Sequence, residues 1–172
     1  MLREILKSRR SEIIKRWSQL VRDTYPSETS RFLVNQTDQF ANPVGAALSR
    51  ITDQLFDLLV DKDLLWEEAG RILDDFVRIR AVQQFSPSHA VGFVFLVKRA
   101  VREHLSQDLT NAELWQELLV FESKVDNLAL LSFDLYMRCR EKLFEIRATE
   151  IRNRTSRIVD RACQKYGMPQ EW

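Results

Sequence analysis

Arg80, Gln83, Ser86, Ser88 and His89 fall within ten residues of one another, beside Gln84, Phe85 and Pro87. A guanidinium, an amide, two hydroxyls and an imidazole in so short a span suit the recognition of a polar ligand. The helical pattern before them runs into Gln84, and a second, strongly apolar helix restarts after Ser86-Pro87. Polar groups gathered beside such a helix resemble the lining of a small-molecule pocket. The same groups also suit a plainer task, satisfying the backbone ends exposed at a helix corner. Nucleophilic catalysis would need more than Ser86, Ser88 and His89: no third partner, glycine elbow or oxyanion loop accompanies them. Ser86 reads better as a helix cap.

Other chemistry has weaker support. Haem needs an axial ligand that faces a cavity. His89 sits in the first turn of its helix and His104 at the wet end of the same helix, where structural or surface roles fit better. A metal site needs converging ligands, whereas Glu67/Glu68 and Asp74/Asp75 face outward by helical period. Cys139 lies between Arg138 and Arg140, cations that would lower a thiol pKa, yet a buried, inert cysteine is the default. Neither a metal nor any other cofactor is expected.

Composition narrows the class. The chain has 172 residues, enough for one domain with a real core, and only 4 Gly and 4 Pro. So few turn formers favour long helices joined by a few corners. A net charge of +1 gives no global field for nucleic acid or an anionic membrane. The charge is unevenly placed, however. Residues 1–22 hold seven basic groups against two acidic ones, and residues 53–75 hold eight acidic groups against two basic ones. These are either two solvated helix faces or complementary surfaces that meet within the fold or across a dimer. Two cysteines 24 residues apart form no disulfide framework and suit a reducing compartment. The N-terminus has no signal-peptide core, and the longest apolar run, Ala90–Val97, is far short of a membrane span. A cytoplasmic protein without membrane insertion is expected.

Periodicity places the elements. Leu2, Ile5, Leu6, Ile13, Trp17, Leu20 and Val21 predict one helix from Leu2 to about Thr24, stopped by Tyr25-Pro26. A short helix over 27–34 and a loop over 35–42 follow, with Phe32 and Phe40 tucked onto the core. Asn42-Pro43 starts a helix to about Val60: Asn caps, and Pro takes a position whose N–H is not needed. Asp63 caps the next helix, Leu64 to Gln84. Ser86-Pro87 repeats the cap-plus-proline start, and the helix to Leu105 is apolar on most sides, hence central and covered.

Thr110-Asn111-Ala112-Glu113 is a capping box, and the pattern then runs to the stop at Gly167-Met168-Pro169. A helix over 111–166 would be a rod of about 80 Å, too extended for one compact domain, so it bends or pairs with another chain. Leu114, Leu118, Phe121, Val125, Leu128, Ser132, Leu135, Cys139, Lys142 and Ile146 alternate by four and three, a coiled-coil seam. Ser132, Cys139 and Lys142 are poor seam residues. The stripe continues through Ile151, Thr155 and Ile158, flanked by Arg147, Arg152, Arg154, Arg157 and Arg161. Glu145, Glu150 and Asp160 interleave with the arginines, so a solvated helix laced with ion pairs fits better than a nucleic-acid element.

Four stretches, Ile79–Ser88, Ala90–Lys98, Phe40–Gly45 and Phe133–Glu141, resemble the N-terminal domain of RsbR-type proteins, in particular the RsbRD-like branch of stressosome co-antagonists. The resemblance covers Trp17 to about Glu150. It implies an all-helical, globin-like sensory module without haem, which dimerises and passes signals through a C-terminal exit helix. In stressosome proteins the output is a STAS domain that binds a switch kinase. This chain ends at Trp172, where that domain would begin, so it is expected to work alone or with a separate output chain.

The expectation is an all-α, globin-like helical bundle with a long C-terminal helix: a sensory or interaction domain over 1–146 and a helical extension with a short tail over 147–172. The expected function is non-enzymatic regulation through dimerisation and protein–protein contact. Arg80, Gln83, Gln84, Ser86, Ser88 and His89 form the signal or ligand corner, and Leu128, Leu135, Cys139, Ile146, Ile151, Arg154, Arg157 and Ile158 the dimer or partner helix. The alternative is a haem- or small-molecule-binding carrier or sensor of globin-like form.

Overall fold

Local backbone chemistry starts two of the helices as the sequence predicts. The Asn42 side chain accepts the Gly45 N–H at 2.8 Å and Pro43 fills the first turn. A Cβ at Gly45 would lie 2.3 Å from the capping amide, so a larger residue there would displace the cap. Ser86 repeats the arrangement, its hydroxyl accepting the His89 N–H. The computed structural model describes residues 1–25, 42–61, 65–106 and 112–166. The expected helix over 27–34, the loop before Asn42 with Phe32 and Phe40, the Asp63 cap, Thr110 and Asn111 of the capping box, and the stop at Gly167-Met168-Pro169 lie outside the described residues.

Every regular element among the described residues is a helix, and the fold is all-α: α1 Leu2–Ser8, α2 Arg10–Arg22, α3 Pro43–Val60, α4 Trp66–Val82, α5 Pro87–Gly92, α6 Leu96–Leu105 and α7 Ala112–Tyr166. The chain divides into two compact units, Met1–Met137 and Arg138–Trp172, and the division falls inside α7.

In the first unit α2 packs against α6 and α3, and α3 against α4. Ile13, Trp17, Leu55, Leu73, Val94, Val101, Leu105 and Val125 are fully buried between them. The seam of α7 supplies Leu114, Leu118, Phe121, Val125 and Leu128 to this core. Ser132, a poor seam residue by sequence, is also fully buried, its hydroxyl returned to the Leu128 carbonyl at 2.8 Å.

Two expected helices are broken, each for a visible reason. The helix predicted from Leu2 to Thr24 ends at Arg22 and is interrupted at Arg9 (φ −105°, ψ 16°). The Ser8 hydroxyl donates back to the Ile5 carbonyl, a bond that bends helices, and Arg9 reaches the His104 carbonyl. The helix expected to reach Leu105 is split at 93–95. There the Trp17 indole N–H donates to the Phe93 carbonyl at 2.8 Å, and the backbone turns through i→i+3 bonds. Phe95 is exposed, so this apolar segment is not covered on all sides. The helix expected over Leu64 to Gln84 is described over Trp66–Val82.

The uneven charge is partly intramolecular. Arg3 pairs with Asp61, and Arg10 with Asp53 and Asp57, so the basic first helices meet the acidic end of α3 inside the unit. Arg16 and Arg99 converge on Glu103 and hold its carboxyl down to about 2, the Arg16 hydrogen bond contributing most. A depressed carboxyl stabilises the fold above its unfolded pKa near 4.5 and loses that contribution as pH falls toward 2. Glu103→Gln is therefore expected to cost under about 1 kcal/mol at neutral pH, since the group is partly exposed. The same change should flatten the acid limb of stability between those pH values. An acid-denaturation curve unchanged by the substitution would refute this.

The second unit is described by the C-terminal part of α7. Its Ile146, Ile151 and Ile158 are exposed. Lys142 pairs with Glu145 and Arg154 with Glu150 along the same helix.

The candidate sensory corner

Helix α4 ends in a Schellman motif built without glycine. The Gln84 N–H donates to the Ala81 carbonyl and the Phe85 N–H to the Arg80 carbonyl, while Gln84 takes φ of 61°. The left-handed conformation usually falls to glycine at this position. Gln84→Gly is therefore expected to stabilise the fold by about 0.5–1 kcal/mol, and an unchanged or lower denaturation midpoint would show that the Gln84 side chain offsets its strain.

The Schellman motif commonly brings an apolar contact between its first and last residues. Here that contact is Phe85 over the Arg80 guanidinium, at 5.0 Å. Tyr25, Phe76 and Phe93 close the remaining sides at 5.0, 4.9 and 5.2 Å, so four aromatic faces surround one cation. The rings also pack edge to face, Tyr25 on Phe85 and Phe76 on Phe93. Arg80 is wholly buried. Its Nη1 donates to the His89 carbonyl at 2.6 Å. Its Nε and Nη2, like the buried Tyr25 hydroxyl, have no hydrogen-bond partner among the described residues. Burial pushes the guanidinium below the usual arginine range, and the neighbouring Tyr25 offsets part of that shift. From α7, the Tyr136 hydroxyl donates to the Phe85 carbonyl at 2.5 Å.

The corner therefore divides its predicted residues. Arg80 is drawn inside and joined to His89 through the main chain of the latter. Ser86 and Ser88 lie with their hydroxyls 3.2 Å apart at the start of α5. Gln83, Gln84, Ser88 and the His89 ring are exposed. Tyr25, Phe76, Phe93 and Tyr136 were not among the predicted residues. A signal existed for one of them: Phe76 lies one helical turn before Arg80 and shares its face. Tyr25 and Tyr136 arrive from distant segments.

The predicted partner helix is likewise divided. Leu128 and Leu135 are buried in the first unit and serve its core. Cys139 is half-buried and, like the buried Cys163, a thiol rather than half of a disulfide. Ile146, Ile151, Arg154, Arg157 and Ile158 are exposed. His104 has its Nδ1 2.7 Å from the Ala100 carbonyl. Among the described residues no cluster of His, Cys, Asp and Glu is placed to hold a metal ion, and no helix is long and apolar enough to cross a membrane.

The chain is 24% identical over 142 residues to an uncharacterized protein of Archaeoglobus fulgidus, covering 82% of this chain and 83% of that one. No solved structure matches it. The family model of the RsbT co-antagonist protein rsbRD N-terminal domain matches residues 11–151. That match spans the caged arginine, the strained corner and most of α7, and the chain belongs to this family of regulatory signalling domains.

Proposed function

We propose that the chain is a non-enzymatic module of stress signalling that senses at the α4–α5 corner and acts through α7. The helices of the first unit are read as a globin-like sensory arrangement without haem, dividing near residue 146 from an extension that engages a partner. A second copy of the chain is the favoured partner on α7, and another signalling protein or a separate output chain receives the signal. The family's description names co-antagonism of RsbT, which supports placing the module in a stress pathway of the cytoplasm.

One observation carries this reading. Ile146, Ile151 and Ile158 are 54%, 66% and 67% exposed on one helix, among charged residues that already pair along it. Ile151 and Ile158, seven residues apart, share one face of the helix, and exposed apolar side chains of this kind gain by burial against a partner. Light scattering with multi-angle detection on the chain, with and without residues 147–172, tests it. The expected result is a dimer that becomes a monomer on deletion. A monomer in both samples would overturn the exit-helix reading. Reversing charge at Arg154 and Arg157 should weaken partner binding and leave the helical circular dichroism unchanged.

A further inference from the structure

The guanidinium of arginine presents Nε–H and one Nη–H along a single edge, a fork that matches a carboxylate. This chain uses that edge repeatedly. Arg10 holds Asp57 through Nε and Nη2, both at 2.8 Å. Arg102 holds Glu122 at 2.6 and 2.7 Å, and Arg16 holds Glu103 at 2.6 and 3.1 Å. Arg80 offers the same edge, yet it is fully buried and makes no ion pair among the described residues. A desolvated cation costs several kcal/mol unless paired, and cation–π contacts return only part of this. The buried Tyr25 hydroxyl lies beside the guanidinium and offsets part of the lowering of its pKa by burial, and the hydroxyl proton has no acceptor among the described residues.

From this vacant fork we infer that Arg80 anchors a binding site for a small organic monocarboxylate. The carboxylate takes the Nε/Nη2 edge and the Tyr25 hydroxyl, and its apolar body lies against Tyr25, Phe76, Phe85 and Phe93. Aromatic walls disfavour a second charge, which sets the class as monocarboxylate rather than dicarboxylate. Phe85 is the movable wall. It is half-buried and follows the strained Gln84, whereas Phe76 and Phe93 are fully covered. Phe76 also lines a cleft of about 280 Å³ between α3 and α4. Because four rings close around Arg80, entry of the carboxylate must move Phe85, which lowers the apparent affinity. The inference rests on reading the corner as sensory and names what it senses.

The test is thermal unfolding of the full chain at fixed ionic strength with acetate, butyrate or benzoate, against chloride and inorganic phosphate. At a hundredfold excess over its Kd, a carboxylate should raise Tm by about 5 °C or more. Arg80→Met, an apolar replacement of similar reach, should fold and lose the response. Arg80→Lys keeps the charge without the fork and should lose most of it. Equal effects of chloride and carboxylate, a response to phosphate alone, or a response surviving in Arg80→Met would each overturn the assignment. If neither variant folds, the ¹⁵N-arginine spectrum of the unmodified chain decides. A protected side-chain Nε–H resonance that shifts saturably with carboxylate supports the site, and a spectrum indifferent to carboxylate overturns it. Light scattering of the same samples keeps the two readings separate: a dimer with no carboxylate response removes only the ligand.

Discussion

Trp17→Ala is expected to lower the stability of this chain by about 4 kcal/mol. The side chain is 0% exposed and lies where α2 packs against α6. Two losses combine. Removing the indole leaves a cavity that a helical core fills only in part, and the Phe93 carbonyl loses the donor that bends the chain at 93–95. Trp17→Phe separates the two, since it retains most of the volume and strands the carbonyl at a cost of about 1–2 kcal/mol. Urea denaturation followed by circular dichroism measures both. A Trp17→Ala stability within about 1 kcal/mol of the unmodified protein would mean that α2 and α6 close over the gap, contrary to the usual partial relaxation of a packed core.

Phe76→Ala is expected to cost about 3 kcal/mol of stability. Phe76 is 1% exposed, packs edge to face on Phe93 at 4.9 Å between centroids, and forms one wall around Arg80. The figure is at the low end for a buried phenylalanine for a specific reason. The residue also lines the cleft between α3 and α4, so its removal gives water a route to a guanidinium whose Nε and Nη2 lack partners among the described residues. Hydration of that charge offsets part of the lost packing. Leu73, on the same face of α4, is the control: it is fully buried and absent from the cage. Leu73→Ala should show the full aliphatic cost of about 2–5 kcal/mol with no such offset. A Phe76→Ala loss above about 5 kcal/mol would show that water does not reach Arg80.

The parts of this fold written into neighbouring residues were legible. Asn42-Pro43 and Ser86-Pro87 start helices because cap and proline act within one turn. The four-three spacing from Leu114 to Leu128 foretold a buried face, and all five of its members are buried. The breaks at Arg9 and at 93–95 were not legible, because each involves a side chain contacting a distant carbonyl: Arg9 on His104 and Trp17 on Phe93. The corner itself was found by its polar residues, yet its chemistry was half hidden. Helical period puts Arg80 on the face of Leu73, Phe76 and Val77, and so inside. An arginine is conventionally assigned to the surface, however, and two rings of the aromatic cage that makes the interior tolerable, Tyr25 and Phe93, come from outside α4 and its closing turn. The Schellman turn was equally hidden, since its left-handed position carries Gln84 in place of glycine.

Tyr136 is the last but one residue of the first unit, and its hydroxyl holds the Phe85 carbonyl. A hydrogen bond of this kind contributes about 1 kcal/mol net. Any two arrangements of α7 that differ only in keeping or losing it are thus weighted about five to one. If α7 has two such arrangements, a bias of that size leaves the minor one at about one molecule in six. On the proposed reading, a ligand that displaced Phe85 would then adjust a proportion already present, and the response through this contact would be that of a dimmer.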